Sequence, residues 1–241
     1  MLSIVFTRFI AAATSVLAVI AMSCAGDATP EPADLRAVYD RTDRDFDSAV
    51  MFRPDDAHVD LPGFLMAPLI VIENGEAGRP APEVAYEQTS DGWIYRWTDP
   101  VTDHTQGLRV SLDDDGFPLA YEVLHDSSGA RLLFVEIGLE EQAGERFGRP
   151  LDGRRYAIER SVEETPGVAV GGLLEPGSTP LGPFVYLWED KHDVNVVLCR
   201  CMAPRVYDIK DSIPYVLTPS GPSSTGDFSE PPALSDLLRL P

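Results

Sequence analysis

From Glu83 to Ile137 apolar and polar residues alternate with a period of two, and Asp/Gly-containing turns interrupt the alternation at short intervals. Val84 and Tyr86 stand between polar neighbours, and Ser90-Asp91-Gly92 turns the chain. Trp93, Tyr95 and Trp97 then share one side of the next segment, followed after the loop Asp99–Gly107 by Leu108, Val110 and Leu112. Asp113–Gly116 is a second turn, Leu119, Tyr121 and Val123 repeat the spacing, and Asp126–Gly129 turns into Leu132–Ile137. Successive residues of a strand face opposite ways, so this pattern predicts half-buried strands. Short Asp/Gly connections between them predict an antiparallel meander.

Elsewhere the period changes. Leu139, Ala143 and Phe147 lie four apart, which predicts a helix over 138–147. A second helix is expected over 34–51, with Asp34 as N-cap and Leu35, Val38, Tyr39, Phe46, Ala49 and Val50 mostly on one face. Arg53–Leu61 reads as a loop, and a strand begins after Pro68 and runs to Ile72. Arg155–Arg160 reads as a strand, and Val168–Leu174, with Gly171-Gly172 inside it, as an edge strand or a bend. A hairpin spans 184–202, and Ser212–Leu217 adds a last strand. The expected fold class is therefore α+β and β-rich: an antiparallel meander sheet over about 83–137 plus the hairpin 184–202, with flanking helices at about 34–51 and 138–147.

The first residues, MLSIVFTRFIAAATSVLAVIAMSC, place Arg8 before an uncharged run from Phe9 to Met22. That order of basic, apolar and small residues is a secretory signal, and the run is shorter than the roughly 20 residues a bilayer-spanning helix needs. Ile20-Ala21-Met22-Ser23-Cys24 resembles the lipobox of bacterial lipoproteins. The resemblance implies that Cys24 becomes the first mature residue and carries acyl chains such as palmitate, which anchor the protein to a membrane of the cell envelope. In that family an Asp after the cysteine retains the protein at the inner membrane. Ala25-Gly26 therefore favours the outer membrane. Small-x-small sites at Ala21-x-Ser23 and Ser23-x-Ala25 offer ordinary signal cleavage, and plain secretion, as the alternative. The expected organisation is a signal peptide 1–23, a tether 24–32, a single β-rich domain 33–218 and a flexible low-complexity tail 219–241.

The formal net charge of −20 makes nucleic acid an improbable partner, because phosphates are repelled, and it disfavours flat docking on anionic lipid. With Cys24 acylated, Cys199 and Cys201 are the only thiols left of three cysteines, so no disulfide framework holds the core.

On a continuous strand Cys199 and Cys201 project to one face. Three readings follow: two buried apolar thiols, a disulfide at the limit of reach, or a soft-metal or redox pair with His192 or Met202. Asp55, Asp56, His58 and Asp60 crowd potential ligands together, but the spacing fits a solvated loop better than a calcium loop. Asp113-Asp114-Asp115-Gly116 is turn chemistry first. Trp93, Tyr95 and Trp97 either stack a sugar or peptide, or fill the sheet core. His104, His125 and His192 are isolated in the sequence, and no nucleophile-elbow, zinc-protease, Walker or dinucleotide motif occurs. No catalytic residues or cofactors are assigned. The expectation is a membrane-anchored envelope lipoprotein serving as a binding or structural module. A thiol redox or metal-handling protein is the second reading, and an envelope hydrolase the third.

Overall fold

Alternation along the chain resolves into two sheets whose inner faces share one core. The computed structural model describes residues 49–72, 78–125, 131–147, 158–159, 168–175, 177–187, 193–200, 211–220 and 238, all within the compact unit Pro32–Pro241. The smaller sheet contains β1 (Val50–Pro54), β2 (Leu69–Ile72), β10 (Phe184–Leu187), β11 (Val194–Leu198) and β12 (Asp211–Tyr215). Its order is β11-β10-β2-β1-β12. The larger sheet contains β3 (Glu83–Gln88), β4 (Gly92–Thr98), β5 (Thr105–Leu112), β6 (Pro118–Val123), β7 (Arg131–Glu136), β8 (Ile158–Glu159), β9 (Val168–Leu174) and β13 (Leu217–Pro219). Its order is β13-β3-β4-β5-β6-β7-β9-β8. One α-helix is described, α1 (Glu140–Phe147), entered through a 3₁₀ turn at Ile137–Leu139.

The protein is β-rich α+β, but both sheets are mixed. Neighbours from β3 to β7 pair antiparallel, while β13 joins β3 and β9 joins β7 in parallel. The hairpin of β10 and β11 does not extend the 83–137 segment as expected; it belongs to the smaller sheet, where β10 lies parallel to β2. The expected last strand divides. β12 pairs with β1, and β13 pairs with β3, so the chain changes sheet at Val216. Val168–Leu174 is not an edge, because β8 pairs along its outer side. Of the helix expected over 34–51, residues up to 48 lie outside the described residues, and Val50 and Met51 belong to β1.

Packing follows the alternation. Phe52, Ile70, Val185 and Leu187 of the smaller sheet meet Val84, Tyr95, Trp97, Leu108 and Val123 of the larger one in a single apolar cluster. The outer face of the larger sheet at β6, β7 and β9 is covered by Ala143 and Phe147 of α1, together with Leu238. Leu238 is buried and Pro219 ends β13; residues 221–237 and 239–241 lie outside the described residues.

The connection from β1 to β2 is buried at Gly63 and at Met66, Ala67 and Pro68, and its buried carbonyls need donors. Tyr95 Oη donates to Gly63 O at 2.7 Å, and Tyr215 Oη donates to Pro68 O at 2.8 Å. Arg200 Nη2 donates to Ala67 O at 2.5 Å, and the Gly182 amide donates to Leu65 O at 2.9 Å. Burial pushes both tyrosine pKa values far above the usual phenol range, so the two hydroxyls keep their protons. A Cβ on Gly182 would sit 2.1 Å from Met66 O, so only glycine allows that approach. Replacing either tyrosine by Phe keeps the ring but strands a buried carbonyl. Tyr95→Phe and Tyr215→Phe are each expected to lower the unfolding free energy by about 1–3 kcal/mol, read from urea denaturation curves with unchanged slope.

Candidate functional site

The outer face of the larger sheet, at the end formed by β13, β3, β4 and β5, carries a half-open concavity of about 390 Å³. Its floor follows from strand register. Thr218, Ala85, Arg96 and Gly107 are consecutive partners across β13, β3, β4 and β5. Glu83, Thr98 and Thr105 form the next row. Two small residues flank the one long side chain, so the Arg96 guanidinium stands over a shallow floor. Gly107 has a second role: a Cβ there would lie 3.1 Å from the His125 ring, which occupies that space and lines the concavity.

Arg96 Nη1 lies 3.6 Å from Glu87 Oε2. Burial lowers the arginine's pKa, Glu87 raises it, and nearby Arg109 lowers it again. Arg109 has its own carboxylate, with Nη1 2.8 Å from Glu122 Oε2, both side chains buried. Thr98 and Thr105 share a hydrogen bond of 2.9 Å between their hydroxyls.

The hairpin joining β4 to β5 is tied tightly. Asp99 Oδ1 accepts from the amides of Val101 and Thr102 at 2.8 and 3.0 Å, and Oδ2 receives Arg79 Nη2 at 2.7 Å. Asp103 adopts a left-handed backbone, φ 57°, a conformation that Asp tolerates better than most residues. Burial pushes the Asp99 pKa up, but the Arg79 bond and the two amide bonds outweigh it, and the net direction is down. The turn sets His104 beside the interior. Gln106, fully buried, donates through Nε2 to His125 O at 2.9 Å and to Asp193 Oδ1 at 3.0 Å. His104 Nε2 lies 2.9 Å from the same amide nitrogen and 3.3 Å from Asp193 Oδ1. Asp193 leads into β11, so this network ties the larger sheet to the smaller one directly behind the concavity.

Compared with known protein families, with curated proteins and with solved structures, the chain shows no significant match.

The residues singled out from sequence are distributed differently. Trp93, Tyr95 and Trp97 are 8%, 0% and 2% exposed and fill the core, so they present no open ring face for stacking a ligand. β11 ends at Leu198, so Cys199 follows the strand and Arg200 turns into a 3₁₀ conformation. Cys199 thus stands just past the strand on which the same-face reading places it. Cys199 is half-buried with its sulfur close to Gly177, whereas Cys201, His192 and Cys24 lie outside the described residues. Arg200, which sequence reasoning passed over, is the member of that motif that bonds the interior loop.

Asp55 caps the 3₁₀ turn Asp56–His58, Asp56 pairs with Arg53 at 3.1 Å, and His58 Nδ1 accepts from the Leu217 amide at 3.3 Å. Asp113 Oδ1 accepts from the amides of Asp115 and Phe117. Both acidic stretches thus serve their own turns. Among the described residues no group of three or more His, Cys, Asp or Glu is placed to hold a metal. The structure joins His104 and His125, isolated in sequence, with Gln106, Asp193 and Arg96. No sequence motif announces them: Arg96, Thr98 and Thr105 occupy the polar half of the alternation, and Gln106 lies 87 residues from Asp193.

Burial, with Arg96 and His104 nearby, lowers the His125 pKa. Between the unfolded value of about 6.5 and the lower folded one, the unfolded chain binds more protons, so stability falls as pH drops through that window. His125→Gln is expected to flatten the dependence of Tm on pH between about 7 and 5. The Asp99 contribution, which is lost only as pH falls below about 4, stays intact in the variant. Differential scanning calorimetry across the series checks both parts.

Proposed function

We propose that the chain is an exported lipoprotein fastened to an envelope membrane through acyl chains on Cys24, and that its folded body is a binding module. The leader supports the anchorage: Arg8, the apolar run and the lipobox-like Ala21-Met22-Ser23-Cys24 stand in the order that export and acylation require. Several acyl chains, each gaining about 0.8 kcal/mol per buried methylene, hold a protein on a bilayer without a transmembrane helix. Among the described residues no helix is long and apolar enough to cross a membrane. The outer membrane is the favoured location, from Ala25-Gly26 after the cysteine.

The concavity over Ala85 and Arg96 is the observation that carries the binding role. Its volume of about 390 Å³ falls within the usual range of small-molecule clefts, about 300–1,000 Å³. Its walls are strands, and its neighbouring hairpin is fixed by Asp99, so little order is lost when a ligand arrives.

Expressed in a bacterial host with its leader intact, the wild-type chain is expected in the detergent phase of a Triton X-114 separation. Mass spectrometry is expected to find an amino terminus at Cys24 bearing acyl mass. Cys24→Ser is expected to move the protein to the aqueous phase or leave the leader uncut. An unmodified Met1 on a soluble wild-type product overturns the anchorage.

A further inference from the structure

We propose that the concavity at the β13-β3-β4-β5 end binds a neutral polyhydroxylated ligand, a saccharide unit, across the row Thr218, Ala85 and Arg96. This rests on reading that end of the sheet as a binding face.

The chemistry of the wall selects the class. Thr98, Thr105, Thr218 and Ser220 supply hydroxyls, each both donor and acceptor, as the hydroxyls of a sugar require. The Thr98–Thr105 pair still has one O–H and several lone pairs to offer after bonding to itself. Arg96 adds fixed donors and Glu83 an acceptor, and the His125 ring forms part of the wall. Between these groups, Ala85 and the alkyl stem of Arg96 give an apolar strip for the C–H face of a pyranose. A wall of mixed donors and acceptors around a small apolar floor discriminates by hydrogen-bond pattern rather than by charge.

Charge argues against ionic ligands. Arg96 is paired with Glu87, and a chain of net charge −20 repels anions from its surface. For a polyamine the same surface is attractive, but the guanidinium at the centre of the floor opposes a second cation there. A neutral ligand meets neither penalty.

The test uses the mature full-length protein with Cys24→Ser to keep it in solution. Maltotriose, cellotriose and chitotriose are titrated by NMR, with inorganic phosphate and spermidine as charged probes and the His125 ring proton as the local reporter. At least one neutral trisaccharide is expected to shift that proton with a Kd of about 10 µM to 1 mM, as suits a shallow open site. Ala85→Trp, which fills the floor, and Thr218→Arg, on an exposed position, are each expected to weaken it by tenfold or more while Tm stays close to the parent. Phosphate or spermidine binding that Ala85→Trp abolishes, with no trisaccharide bound, overturns the ligand class but keeps the binding face. No probe shifting the proton, or saccharide binding unaffected by both variants, overturns the site itself.

Discussion

A stretch of irregular backbone between two β-sheets is the constraint that the rest of this structure serves. Within residues 61–68, Gly63, Met66, Ala67 and Pro68 are buried while Leu65 reaches solvent, and the buried peptide carbonyls cannot turn to water. The donors come from four separate places: Tyr95 on β4, Tyr215 on β12, Arg200 after β11 and the Gly182 amide before β10. These donors reach the loop only if both sheets and their connections are in place together. The interior is therefore specified by a set of interlocking polar bonds inside an apolar cluster, and not by shape filling alone. Arg200 is the most demanding member. Burial lowers its pKa, and its Nε finds no partner among the described residues, so the bond to Ala67 O carries its placement.

The same constraint explains the chain's change of sheet near its end. Tyr215 must face Pro68 as the last residue of β12, and Leu217 must enter the core beside Val84 as the first of β13. Only Val216 lies between, exposed, with its carbonyl accepting from the Val84 amide at 3.1 Å while Tyr215 O accepts from Asp55 at 3.0 Å. Adjacent carbonyls, Tyr215 O and Val216 O, thus bond the crossing chain to the smaller sheet's connection and to the larger sheet in turn.

Much of the secondary structure was legible because period is a local property. Trp93, Tyr95 and Trp97 revealed β4, and Leu139, Ala143 and Phe147 revealed the helix and the face it buries. Partner choice was not legible, since alternation says which side of a strand is apolar and nothing about which strand lies next to it. Pairing β1 with β12 joins residues far apart in the chain, and no turn signal marks it. β1 itself was hidden, because Arg53-Pro54-Asp55-Asp56 reads as loop and the apolar residues before it continue a helical spacing. The candidate site was illegible for a related reason. Its polar residues sit on the outward half of the alternation, where solvation is the default reading. Ala85 becomes a floor only once register sets it beside Arg96, and Gly107, on the other side of Arg96, leaves the space that the His125 ring fills.

Register in turn is guarded by charge on that outer face. Glu87, Arg96, Arg109 and Glu122 stand on β3, β4, β5 and β6 in the sign order minus, plus, plus, minus. The two cations are diagonal neighbours across β4 and β5, Arg96 opposite Gly107 and Arg109 opposite Ile94, and each is held by a carboxylate on its far side, at 3.6 Å and 2.8 Å. A slip of one residue in any of these strands would turn its charged side chain into the Trp97 and Leu108 layer, where an unpaired charge costs several kcal/mol. The pairs need contribute little net stability for this to matter, because the alternative registers are the ones made expensive. Thr98, Ala85 and Gly107 lie in the same strands at neighbouring positions, so the ladder that fixes the sheet also fixes the width of the concavity. The face that carries the site is thereby held by a ladder of which Arg96 alone also lines the concavity.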